Sequence, residues 1–197
     1  MPKMSSYPTI GTNRKSEGAP AVSDCAADVL NLGCGRKRMD SAINLDRIAE
    51  TQPDLIHDLN LRPWPFQDNT FRAVYASDVI EHLDDVVQVM EEIHRVSRNG
   101  ALVYITVPHF SCSNAFTDPT HRHCFGYSSF DYFAEGNELS FYSHARFRRR
   151  LARLVFYPTV MSKVVWRLAN RYPAVYERHW AWIFPAWYLY FEMEVVK

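Results

Sequence analysis

The feature that most constrains this chain is the segment Val29-Leu-Asn-Leu-Gly33-Cys34-Gly35. A short apolar run that stops in Gly-Cys-Gly reads as a buried strand entering a tight turn, because glycine accepts backbone angles other residues resist. Four further short runs follow at residues 42–46, 54–58, 71–76 and 101–107, the last stopped by Pro108. They are apolar nearly throughout rather than alternating, which predicts parallel strands covered on both faces. Between the last two lies the clearest helical period, residues 84–96, with Val86, Val89, Met90, Ile93 and Val96 on one face. Asp84 and Asp85 open it, Arg95 and Arg98 close it, and Asn99-Gly100 stops it, each on the side the helix dipole favours. Strand–helix–strand alternation predicts right-handed crossovers and a doubly wound, mostly parallel α/β sheet. A last strand pattern, residues 188–197, puts Glu192 and Glu194 on one face.

Composition narrows the functional classes. The chain has 197 residues, 47% hydrophobic, with 22 basic and 22 acidic side chains. That suits one domain with a real core and argues against a disordered chain. A formal net charge of zero argues against a nucleic-acid binder, which needs a basic field. None of the four cysteines forms a C-x-x-C pair, so free thiols in a reducing cytoplasm are expected. Residues 1–27 are polar and punctuated by Pro2, Pro8, Gly11, Gly18 and Pro20, the pattern of a flexible tail without an apolar signal segment. No apolar run reaches 18 residues, so no transmembrane helix is expected. Residues 144–171 hold eight Lys or Arg and no acid. The plain reading is a solvated basic face balancing the acids of residues 78–92; attraction of an anionic substrate, or a weak membrane-surface contact, is the sharper one. Trp180, Trp182, Phe184 and Trp187 suit a core or a dimer contact, leaving monomer and homodimer both open.

In a doubly wound sheet, ligands bind outside the carboxyl ends of the strands, where the strand order reverses. The glycines at 33 and 35 let backbone approach a ligand closely. Asp46 closes the second strand, where a carboxylate accepts two ribose hydroxyls. Asp58 follows the third, within reach of an adenine amino group. Ser77 and Asp78 follow the fourth, beside the first strand. Any one of these alone is an ordinary turn or cap; the ordered set marks a site. The G-x-G-x-x-G pattern and the phosphate-cradling lysine motif are both missing, so the ligand need not carry a pyrophosphate. S-adenosylmethionine fits better than NAD or ATP.

Leu-Asn-Leu-Gly-Cys-Gly, Ile-Asn-Leu-Asp, His-Asp-Leu-Asn, Pro-Trp-Pro-Phe-Gln-Asp-Asn-Thr-Phe, Ala-Ser-Asp-Val-Ile-Glu-His-Leu and Glu-Ile-His-Arg-Val resemble class I S-adenosylmethionine-dependent methyltransferases, of the UbiE-like type called methyltransferase domain 11. The resemblance covers about residues 28–135. The segment 172–197 looks like the tail of a small subgroup found among bacterial polysaccharide and secondary-metabolite enzymes. The resemblance implies a Rossmann-like sheet with a C-terminal antiparallel strand, one methyltransferase domain over residues 28–197, and a small-molecule acceptor. It places Gly33, Cys34 and Gly35 under the methionine and ribose, Asp46 on the ribose, Asp58 and Leu59 around the adenine, and Ser77, Asp78 and His82 nearby. Asn31, counted with the cofactor-binding residues, stands where many members carry an acid. Only Arg36 to Ala42 separate Gly35 from Ile43, so the usual first helix is cut to about a turn.

The acceptor side is expected from the loop after the fifth strand, where His109, Asp118, His121 and His123 fall within 15 residues. One reading is a general base, His109 or His121, oriented by Asp118. Another is a metal set of His121, His123 and Asp118, though no metal ligands are assigned. A third is structural, with the imidazoles bonded to backbone. Phe110, His123 and Tyr127 of the same loop are expected to touch the acceptor. A non-catalytic regulatory or scaffold protein on the same fold is the competing functional class; the intact glycine turn and Asp46 argue against it.

Overall fold

The computed structural model describes residues 28–197 except positions 139 and 159, and the reading of residues 1–27 as a tail, Cys25 included, lies outside the described residues. Seven strands form one sheet: β1 (Val29–Leu32), β2 (Ile43–Asp46), β3 (Leu55–Ile56), β4 (Phe71–Ser77), β5 (Ser97–Pro108), β6 (Arg146–Val155) and β7 (Tyr188–Val196). Their order is β3-β2-β1-β4-β5-β7-β6. The first five are parallel to one another, and β7 pairs antiparallel with both β5 and β6. Each expected strand is present within a few residues of its expected ends.

Helix α1 (Val86–Val96) lies between β4 and β5, as its period predicts. Asp85 caps it, accepting the Gln88 N–H at 3.0 Å, which satisfies one donor the first turn leaves orphaned. Val89, Met90, Ile93 and Val96 are fully buried against Val74, Ala76, Val103, Ile105 and Phe191 in one apolar cluster. Short helix α2 (Asn114–Thr117) follows β5, and α3 (Val160–Arg171) and α4 (Pro173–His179) lie between β6 and β7. Among the described residues no helix is long and apolar enough to cross a membrane.

Three expectations change. First, two strands rather than one are antiparallel, because part of the basic stretch of residues 144–171 is β6. Phe147 and Leu154 are both buried although seven residues apart, a spacing that should put them on opposite faces. An irregularity between Arg149 and Leu151 shifts the register and returns both to the core. That shift erases the alternation a strand would show in sequence. Arg148 and Arg150 of β6 pair with Glu194, and Arg149 pairs with Asp131. Second, the sheet is not covered equally on both faces. On β4, β5 and β7 buried positions alternate with half-buried ones, where Tyr75 stacks on Tyr104 with ring centroids 4.6 Å apart. Third, no helix at all separates β1 from β2. Turns fill the gap, pinned by Asn44, whose Oδ1 accepts the Met39 N–H (2.8 Å) and whose Nδ2 donates to the Met39 carbonyl (3.0 Å).

Candidate active site

β1 and β4 are neighbours where the strand order reverses, so the turns leaving their carboxyl ends lie side by side. Gly33 leaves β1 at φ +56°, and a Cβ there would lie 2.3 Å from Cγ2 of Val79 in the turn after β4. Glycine is therefore required by both backbone angle and close approach. Gly35 (φ +49°) has open space where its Cβ would be. The Cys34 N–H donates to the Leu45 carbonyl at 3.0 Å, and the Gly35 N–H donates to Asp46 Oδ2 at 2.8 Å. The Ile48 N–H donates to Asp46 Oδ1 at 2.9 Å. Two backbone amides thus orient the Asp46 carboxylate, and each oxygen keeps further acceptor capacity. This donor-seeking group beside an open glycine turn fits a ribose diol.

Asn31 is buried beneath the turn and donates to the Lys37 carbonyl (3.0 Å) and Asn44 Oδ1 (2.9 Å). It braces the loop from below. Cys34 is buried beside it, and burial pushes its thiol above the ordinary range. Asp58 Oδ1 accepts the Asn60 N–H at 2.9 Å, and the buried Leu59 accepts Trp64 Nε1–H on its carbonyl at 3.1 Å. Ser77 ends β4. Asp78 then takes φ +55°, a left-handed angle uncommon outside glycine. Its Oδ2 meets Lys37 Nζ at 2.6 Å and its Oδ1 accepts from the Thr106 hydroxyl at 3.3 Å, tying the glycine loop to β5. The cofactor-side residues expected at strand ends therefore stand at the ends of β3, β2, β1 and β4, four consecutive strands.

A cleft of about 540 Å³ opens beside Asp78 at the ends of β4 and β5, lined also by Glu81, His82, Asn114, Asp118, His121 and Tyr188. The Thr120 hydroxyl donates to Asp118 Oδ1 (2.7 Å), so His82 Nδ1, 2.8 Å from that hydroxyl oxygen, is the donor there and Nε2 keeps the lone pair. Burial, then the neighbouring His121, push the His82 ring below its usual range, so it is neutral at pH 7. His121 Nδ1 donates to the Ala115 carbonyl at 3.3 Å, and its Nε2 lies 4.0 Å from Asp118 Oδ2. Hydrogen bonds from the Thr120 hydroxyl and then its N–H hold Asp118 below the usual carboxylate range. Burial pushes the Tyr188 phenol up to about 12, which keeps it a proton donor at neutral pH.

The acceptor-side set divides. His121 and Asp118 line the cleft, where His82 joins them from the cofactor-side set; His109, Phe110, His123 and Tyr127 do not line it. His109 is 0% exposed, donates from Nε2 to Glu177 Oε1 (3.1 Å) and accepts the Ser111 N–H on Nδ1 (3.2 Å). His123 Nε2 donates to the Leu83 carbonyl at 2.8 Å. The Tyr127 N–H shares Glu177 Oε1 at 2.6 Å, and Phe110 packs edge-on against Trp182. A direct pairing of His109 with Phe125 carries the first part of the loop away from the cleft and into the protein. Sequence reasoning missed Glu81, Asn114 and Tyr188. The signal for Glu81 was present, an acid beside a histidine just past a strand, but it was absorbed into a run of acids that reads as solvated.

The methyltransferase-domain family matches residues 36–105. No curated protein matches the chain. Among solved structures it is similar to a SAM-dependent methyltransferase from Archaeoglobus fulgidus, with TM-score 0.59 and 15% identity over 84% of this chain and 85% of that one. It is also similar to a Haloferax volcanii complex of the Trm112 methyltransferase activator with a putative methyltransferase (TM-score 0.52, 16% identity, 86% and 82% covered). A third similar structure is the [4+2]-cyclase SpnF (TM-score 0.53, 18% identity, 85% and 75% covered). At such identities the structures speak for the fold, and the cyclase shows that this fold serves more than one chemistry. Over residues 36–105 the chain is thus similar to the methyltransferase-domain family, on a fold it shares with S-adenosylmethionine-dependent methyltransferases.

Proposed function

We propose that the protein moves a methyl group from S-adenosylmethionine to an O or N nucleophile of a small metabolite or glycan precursor, of the kind handled in bacterial polysaccharide and secondary-metabolite biosynthesis. The observation that carries this reading is the Asp46 carboxylate at the end of β2, set by the Gly35 and Ile48 amides, with β1 between it and β4, whose end opens on a cleft able to admit a small acceptor. When bound, the cofactor supplies an electrophilic methyl on a sulfonium. The remaining work belongs to the chain: to hold the acceptor atom in line and to keep water out. Asp46 holds the ribose, with Asp58 and Leu59 at the adenine and Asp78 on the methionine side. If the acceptor is an alcohol, His121 Nε2 would take its proton as the methyl carbon leaves sulfur for the acceptor oxygen, with the neutral thioether departing and Asp118 beside the ring to steady the charge. Three free cysteines among the described residues suit a reducing, cytoplasmic setting.

Titration calorimetry tests the cofactor half. Wild type should bind S-adenosylmethionine, and Asp46→Ala should bind it at least tenfold more weakly, about 1.4 kcal/mol. A folded wild type that binds none sinks the reading. Release of S-adenosylhomocysteine on offering sugars, phenols and amines then identifies the acceptor class. A second expectation separates His109 from His121. His109→Ala should lower stability by about 1–3 kcal/mol, because it strips a buried partner from Glu177, while cofactor affinity stays within twofold. Thermal melts beside the same calorimetry read both.

A further inference from the structure

We infer that Glu81, His82 and His121 form a binding site for one divalent transition-metal ion at the floor of the cleft. The three side chains each bring a ligand atom, and these atoms lie within 4.8 Å of one another. Three independent features point to an ion. The first is Glu81 itself: 1% exposed, lining the cleft, with neither carboxylate oxygen hydrogen-bonded. A carboxylate buried without a partner is costly and uncommon, and a cation supplies the missing partner. The second is the state of the imidazoles. His82 donates its Nδ1–H through the Thr120 hydroxyl toward Asp118, and His121 donates its Nδ1–H to the Ala115 carbonyl. Metal-binding histidines characteristically commit one nitrogen in this way, which fixes the ring and offers the lone pair of the other. The third is closure of the set. The His82 and His121 ring centroids are 4.6 Å apart although the residues are 39 positions apart in sequence, and the Arg122 N–H donates to the Glu81 carbonyl at 2.8 Å, docking the His121 segment onto the turn that carries Glu81.

Two imidazoles and one carboxylate select a first-row divalent ion such as Mn²⁺, Co²⁺ or Zn²⁺ over Mg²⁺ or Ca²⁺, which prefer all-oxygen sets. Three protein ligands leave positions for an acceptor oxygen. Here the inference rests on the methyltransferase reading: an acceptor hydroxyl on the ion would be acidified by it and would give its proton to water in the cleft, so that His121, now a ligand, is not needed as the base it serves as when no ion is bound. That narrows the acceptor from O or N to O.

The test uses metal-free full-length protein and Co²⁺ as probe, with neither cofactor nor acceptor present. Visible d–d absorption saturating at one Co²⁺ per chain is expected. Glu81→Gln and His121→Ala should each weaken Co²⁺ binding at least tenfold, whereas His179→Ala, an exposed histidine elsewhere, should leave it unchanged. Circular dichroism establishes that each variant is folded. A folded wild type without saturable cobalt bands, or bands that survive both ligand substitutions, overturns the site. Cobalt bound at this set by a protein that takes up no S-adenosylmethionine would instead retain the metal site and overturn methyl transfer.

Discussion

Gly33→Ala is expected to destabilise the protein by about 2–4 kcal/mol and to weaken S-adenosylmethionine binding at least tenfold. Two costs add. An alanine at φ +56° carries the left-handed penalty, on the order of 1 kcal/mol. Its Cβ would also lie 2.3 Å from Val79 Cγ2, so either the glycine turn or the turn after β4 must move. Moving the first displaces the Gly35 N–H from Asp46; moving the second displaces Asp78 and, beyond it, Glu81. For a chain of this size the melting temperature should fall by roughly 4–16 °C. The double variant Gly33→Ala/Val79→Ala separates the costs, because it removes the clash and keeps the backbone penalty. Partial recovery of both melting temperature and cofactor affinity is the expected result. A single variant that melts and binds like wild type would show that the close approach has no part in shaping the site.

Glu81 supplies the second large effect. Burial pushes its pKa from 4.5 up to about 8, whereas in the unfolded chain it returns to the ordinary carboxylate range. Between those values the folded state keeps a proton that the unfolded state has released. Metal-free protein should therefore lose stability as pH rises from about 4.5 to 8 and level off above that, the reverse of a salt-bridged carboxylate. The loss is a few kcal/mol, at most about 5. Glu81→Gln cannot ionise and should flatten this part of the profile. Urea melts of chelator-treated wild type and variant between pH 5 and pH 9 read the difference directly. Parallel profiles for the two proteins would mean that the carboxylate is hydrated or partnered in solution.

These two residues also mark the boundary of what the sequence discloses. Gly33 was legible because its constraint is local: a short apolar run must end in a turn, and glycine is the residue that turn demands. The same locality made β1 to β5, helix α1 and the last strand readable. Hydrophobic period, Asp85 as cap and Asn99-Gly100 as stop all act within a few residues. Asp46, Asp58 and Asp78 were legible for a related reason. In a parallel sheet the carboxyl ends of all strands lie on one edge, so knowing that a residue follows a strand is nearly enough to place it.

Strand β6, Glu81 and the histidines were decided elsewhere. The irregularity after Arg149 shifts register against partners 41 to 44 residues away in sequence, and no local period survives it. Glu81 in sequence is one acid among several. Its burial arises because the segment carrying His121 docks across the turn through Arg122, a contact between distant parts of the chain. His109 and His121 are indistinguishable as letters in one loop, yet the pairing with Phe125 buries the first on Glu177 and leaves the second in the cleft. The sequence by itself determined strands β1 to β5 and β7 and the edge on which Gly33, Asp46, Asp58 and Asp78 stand, because those follow from short-range period and turn chemistry. Only the tertiary structure decided which titratable groups share the cleft, because proximity between residues tens of positions apart depends on how loops pack rather than on any local pattern.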